Sequence, residues 1–210
     1  MNAIGLADAS TAERHADVAA AESAATAFLI ALGVSLDEEH TRETPRRMAS
    51  AYAELLSVEA FAMTTFDAAG HTGLVSVRNI AFTSLCAHHA LPFAGAADIS
   101  YLPSDRIVGL SKLARLVQAV ASRLQVQEHL TAEIADRLEQ AIEPRGIAVR
   151  LEAAHLCMTA RGAQATGSVM VTTVLRGDLS EGAFSGGCDH GSTAHSRVTA
   201  PEWLLPGTAD

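Results

Sequence analysis

A pair of amphipathic helical stretches, set between two pairs of strand-like stretches, restricts this chain to few folds. LSKLARLVQAVASRL (110–124) repeats apolar residues at helical spacing and puts Leu113, Leu116, Val117, Val120 and Leu124 on one face. After a short QVQ break, EHLTAEIADRLEQAI (128–142) does the same with Leu130, Ile134, Leu138 and Ile142. Ahead of them, LVSVRNIAFTSL (74–85) reads as a strand carrying Val75, Val77, Ile80 and Phe82. Its phase slips between Val77 and Ile80, which signals a bulge. AGAADISYLP (94–103) reads as the antiparallel partner, closed by Pro103. GIAVRLEAAHLCM (146–158) and GSVMVTTVLRG (167–177) supply the second strand pair. Strand pairs separated by a helix pair predict an α+β fold, an antiparallel four-stranded sheet with two helices packed on it.

Further helices precede this block. AESAATAFLIAL (21–32) is helical in pattern, with Gly33 as its stop. A second helix opens at Thr44-Pro45, since Thr caps well and Pro suits the first helical position. It places Met48, Ala51, Tyr52 and Leu55 on one face. The expected organisation is a flexible tail over 1–20, a helical region over 21–73, a catalytic domain over 74–180 and a loop or tail over 181–210. Aromatics make up only 4 % of the chain against 49 % apolar residues, so the core must be aliphatic.

Charge narrows the function classes. A formal net charge of −9 makes a poor general binder of nucleic acid, whose phosphates demand a basic face. It leaves room for one small anion in a local basic pocket. No stretch approaches the ~20 apolar residues of a membrane span, and the N-terminus lacks a basic region followed by an apolar run. A cytoplasmic protein without a membrane partner is the expectation. Three cysteines argue against a disulfide framework and turn attention to metal binding or catalysis.

Cys86 and His89 form a C-x-x-H pair, a spacing that lets two donors converge on one metal from a turn. Cys157 lies far along the chain and could supply a third ligand. Two thiolates and one imidazole leave tetrahedral zinc an open fourth position, the pattern of a catalytic site. His155 stands two residues before Cys157, so on a strand both face the same way, with an imidazole placed for proton transfer. Ser111-Lys112 and Gln127-Glu128 each open a helical stretch. Spacing alone also admits plainer readings. Cys can be a small buried apolar residue, Ser111-Lys112 a cap and a solvated lysine, and Gln127-Glu128 an ordinary helix start with an acid near the dipole. Cys188, His190 and His195 read either as a second metal site or as part of the tail.

Taken together the segments CAHHALPFAG (86–95), VGLSKLARLVQ (108–118), RLQVQEHLT (123–131) and AHLCMTARG (154–162) resemble the GTP cyclohydrolase I family. The resemblance runs from about Thr44-Pro45-Arg46-Arg47 to about Gly177. It implies the tunnelling fold and a toroidal homodecamer with active sites between subunits. It implies zinc on Cys86, His89 and Cys157 and a triphosphate held by Lys112, Arg115 and Arg161. Guanine recognition falls to Gln127 and Glu128, and proton transfer to His88 and His155. Ser111 is implied to help the ribose open. The implied reaction is hydrolysis of GTP at C8 by a zinc-activated water, through a formamide, with release of formate and closure to 7,8-dihydroneopterin triphosphate.

Two departures mark a diverged member. Ala87 stands where the family usually has Glu, which removes a carboxylate beside the site. The end, GCDHGSTAHSRVTAPEWL, does not align to the family's usual Arg-x-Glu-Phe-like segment. These changes suggest an alternative in which the reaction stops at the ring-opened formamide or takes another purine nucleotide, in secondary metabolism.

Overall fold

The computed structural model describes residues 3–5 and 16–184. Its elements in chain order are β1 (Ala3–Gly5), α1 (Val18–Ala31), α2 (Thr44–Leu55), β2 (Ala62–Asp67), β3 (Val75–Cys86), β4 (Pro92–Leu102), β5 (Arg106–Val108), α3 (Leu110–Ala121), β6 (Leu124–Gln125), α4 (Gln127–Ile142), β7 (Gly146–His155), α5 (Leu156–Thr159) and β8 (Met170–Gly177). The chain divides into two compact units, residues 7–57 and the remainder.

The smaller unit is a helix pair. α1 begins at Val18, three residues ahead of the expected start, because Asp17 caps it by accepting from the Ala20 N–H at 2.9 Å. α2 opens where expected, although Thr44 and Pro45 lie inside the helix and Glu43 precedes it. Its buried positions are Pro45 and Ala49, while the anticipated Ala51 is exposed.

The larger unit is α+β. Strands β3, β4, β7 and β8 form the expected antiparallel sheet, and the two-residue β6 adds a short parallel edge in the order β6-β3-β4-β7-β8. The bulge lies where the phase slip put it, with the β3–β4 register shifting between Val77 and Ile80. Asn79 takes a positive φ of 56° there, and its N–H donates to the Asp98 carboxylate at 2.8 Å. Helices α3 and α4 bury Leu113, Leu116, Val117 and Val120, and Leu130, Ile134, Leu138 and Ile142, in one core with Phe82, Ile99, Tyr101 and Leu151. Leu124 is half exposed, contrary to expectation, because α3 stops at Ala121 and Leu124 belongs to β6.

A small second sheet, β1-β2-β5, breaks the expected helical region 21–73. β2 falls inside it because AMTTFD gains backbone partners from three residues of β5, whose pairing is non-local. β1 likewise falls in the stretch read as a flexible tail. Cys188, His190 and His195 lie outside the described residues.

Candidate active site and metal centre

The C-x-x-H segment is a tight turn built on the end of β3. The Cys86 carbonyl accepts from the N–H of His89 at 3.3 Å and of Ala90 at 2.8 Å. Ala90 takes a left-handed φ of 52°, and the Cys86 N–H closes the loop onto the Leu91 carbonyl at 2.9 Å. From the side, β6 braces the turn, since the Ala87 N–H donates to the Gln125 carbonyl at 2.8 Å. Ala87 itself is exposed and contributes no polar side chain to the site.

Cys157 is not on a strand. β7 ends at His155, and Cys157 sits in the single helical turn of α5. The register explains the break. His155 pairs with Phe93, so the next residue would face Pro92, which has no N–H to give the ladder. The chain coils instead, and the Thr159 hydroxyl donates to the freed His155 carbonyl at 3.1 Å. The same-face argument for His155 and Cys157 therefore does not hold, but the coil still delivers Cys157 to the first pair.

The ligand atoms of Cys86, His89 and Cys157 all lie within 4.8 Å of one another. The two sulfurs are 3.9 Å apart. Tetrahedral zinc with bonds of about 2.3 Å needs its two thiolates about 3.8 Å apart, so the spacing suits that ion. It is far too wide for a disulfide, and both thiols are free. Burial first, and then the Cys86 thiol, push the Cys157 thiol up, while the nearby Arg161 works against them. A cation between the sulfurs relieves that mutual cost by binding both as thiolates. Among the described residues the group has three members, which leaves tetrahedral zinc one open position. His88 lies beside it, its Nδ1 3.7 Å from the Cys86 sulfur.

His155 is held from two sides beside the Cys86, His89 and Cys157 group. Its ring stacks on Phe93 with centroids 4.4 Å apart and planes 4° from parallel. Burial holds its pKa below the usual histidine value, against the pull of the Glu128 carboxylate. Its Nε2 lies 2.8 Å from the Gln127 amide oxygen. Cys86, His88, His89, Gln127, Glu128, His155, Cys157 and Arg161 thus gather at one end of the sheet.

Ser111 and Lys112 are elsewhere, and Arg115 lies midway along α3. Val75 pairs with Tyr101 at one end of the β3–β4 ladder and Leu85 with Pro92 at the other, about 33 Å of strand apart. The Val108 N–H donates to the Tyr101 hydroxyl at 3.1 Å, so α3 begins near the far end. It ends near the metal, where the Ser84 hydroxyl donates to the Ala121 carbonyl at 2.7 Å. Lys112 therefore starts about 14 Å of helix away from that contact. There its ammonium lies 5.8 Å from the centroid of the Phe61 ring, a cation–π contact.

Sequence reading missed Phe93, Thr131, Thr172 and Phe61. Phe93 lies in CAHHALPFAG and Thr131 in RLQVQEHLT, but the stacking of Phe93 on His155 depends on the β4–β7 register, and Thr131, Thr172 and Phe61 each meet a partner far along the chain.

Comparison with known proteins identifies the family. The family model described as GTP cyclohydrolase I matches residues 21–184. A protein of Brucella canis named GTP cyclohydrolase 1 is 45 % identical over 171 residues, covering 79 % of this chain and 80 % of the relative. A GTP cyclohydrolase 1 of Brucella suis is 45 % identical over 169 residues, covering 78 % and 79 %. Among solved structures, an archaeosine synthase QueF-Like in the apo form aligns at a TM-score of 0.42 and 13 % identity, over 51 % of this chain and 96 % of that one.

Proposed function

Since the chain belongs to the GTP cyclohydrolase I family, we propose that it hydrolyses GTP at C8, releases formate and forms 7,8-dihydroneopterin triphosphate. The observation that carries this reading is the convergence of Cys86, His89 and Cys157 within 4.8 Å beside a half-buried histidine. Those three residues would hold zinc. When bound, zinc supplies a Lewis acid and a water acidified toward neutrality for attack at the purine.

The chain's own groups then divide the work. His155, whose pKa its partial burial lowers, holds or accepts a proton at the opening ring. His88, on the metal turn, is the second proton carrier. Glu128 is exposed near His155, where its carboxylate accepts from the N1–H and exocyclic amine of guanine. Adenine offers no such pair and forgoes both hydrogen bonds. Arg161 lies close enough to act on Cys157 and takes part of the triphosphate. Two free thiols in the metal group suit a reducing cytoplasm.

Lys112, Arg115 and Ser111 complete the site from another copy of the chain. The distance of Ser111 and Lys112 from the ligand group within one chain supports a site shared between subunits, in a toroidal homodecamer. Free N–H groups at the start of α3 add to the attraction of its cations for phosphate.

Two measurements test the reading. Zinc-loaded protein incubated with GTP is expected to yield formate and a pteridine triphosphate by mass analysis. A formamide that accumulates, or no product at all, would count against it. Mixed oligomers of Cys157→Ala and Lys112→Ala subunits, each inactive alone, should regain activity at roughly a quarter of the sites. No recovery on mixing would place the whole site within one chain.

A further inference from the structure

Gln127 carries a network that reading it as a guanine contact leaves unexplained. Its side chain is buried, with 1 % of the residue exposed. Its amide nitrogen faces only acceptors that fix its orientation: the Leu151 carbonyl at 3.3 Å, the Met170 carbonyl at 3.0 Å and the Thr172 hydroxyl at 3.1 Å. Turning the amide over would set its oxygen against two carbonyl oxygens, so the nitrogen must donate there. The amide oxygen is then the atom 2.8 Å from His155 Nε2, and it can only accept. Behind it, the Thr131 hydroxyl reaches the Gln127 carbonyl at 2.7 Å and the Thr172 hydroxyl at 2.6 Å. Both polar atoms of the Gln127 side chain are thereby committed, and neither is left over for a nucleobase.

We propose that Gln127 is a positioning residue that holds the His155 imidazole in the tautomer with its proton on Nε2 and its Nδ1 lone pair free. The inference rests on the reading above that His155 moves a proton at the substrate. Phe93 fixes the ring plane by stacking, and Gln127 fixes which nitrogen is open. Without the amide oxygen either tautomer is admissible, and only one presents a base on Nδ1. Thr172 and Thr131 act one step further back by holding the amide.

Neutron diffraction of the zinc-loaded wild type tests the tautomer directly. Density for hydrogen on Nε2 is expected, and hydrogen on Nδ1 would overturn the proposal whatever the activity. Kinetics test the consequence. Gln127→Leu should lower kcat roughly 10- to 100-fold, with KM for GTP and zinc content nearly unchanged. Gln127→Glu, which can still accept from Nε2–H while its protonated oxygen donates to a carbonyl, should recover part of the loss. A raised KM with unchanged kcat, or weakened preference for GTP over ATP, would return Gln127 to nucleobase recognition. If Gln127→Leu fails to fold, Thr172→Val should show a smaller loss confined to kcat, and a loss confined to KM would overturn the idea. An unaffected His155→Ala variant would instead sink the catalytic reading while leaving the tautomer result standing.

Discussion

Cys157→Ala should lose its zinc and its GTP turnover together. The wild-type site offers three ligand atoms, all within 4.8 Å of one another. Removing one leaves a thiolate and an imidazole on a single turn, too few for tight binding of an ion that prefers four donors. The water activation that zinc supplies is worth several kcal/mol, so turnover should fall by at least about 10³-fold. The fold should survive, because Cys157 lies half-buried in a four-residue helical turn outside the sheet. Metal analysis, turnover and thermal melting on the same sample check each part. Zinc at one per chain with wild-type turnover would exclude Cys157 from the site. A chelator should reproduce the loss in the wild type, and added zinc should reverse it.

His155→Ala should retain zinc and lose catalysis. General acid–base groups contribute roughly 10²- to 10⁴-fold, and kcat should fall within that range. A structural cost accompanies the kinetic one. The variant removes the ring stacked on Phe93 and leaves the Gln127 amide oxygen buried without a donor. An unsatisfied buried acceptor costs about 1–3 kcal/mol, so the melting temperature should also drop. Zinc content separates the two effects. A variant with full zinc, a native circular dichroism spectrum and a kcat within threefold of wild type would show that His155 moves no essential proton.

The two outcomes together distinguish metal from reaction. Cys157 fails through loss of zinc, whereas His155 fails with zinc in place. Ala87 bears on the second, since it is exposed and gives the turn a methyl group where a carboxylate could have reached the site.

How much of this was legible in the sequence follows the range of each interaction. The buried faces of α3 and α4 were readable because a period of 3.6 is a local property, and Leu113 through Val120 and Leu130 through Ile142 obey it. The bulge at Val77/Ile80 was readable for the same reason, since a phase slip is visible within one strand. The helical turn at Cys157 was not. LCM continues an apolar strand pattern, and what stops the strand is Pro92 on its neighbour. The contacts of Gln127 and Phe93 with His155 were hidden likewise, because each depends on a partner that only the fold brings near.

By itself, then, the sequence determined the buried faces of the two central helices, the four main strands and the aliphatic core, while the Cys86, His89 and Cys157 group came from the family resemblance. Residue type and spacing carry the elements and the core. Tertiary structure alone decided that Cys157 reaches Cys86 from a helical turn, that the Gln127 amide oxygen lies against His155, and that Lys112 lies at the far end of its own helix. Each is a distance between residues far apart along the chain, and strand register, which no local pattern encodes, sets such distances.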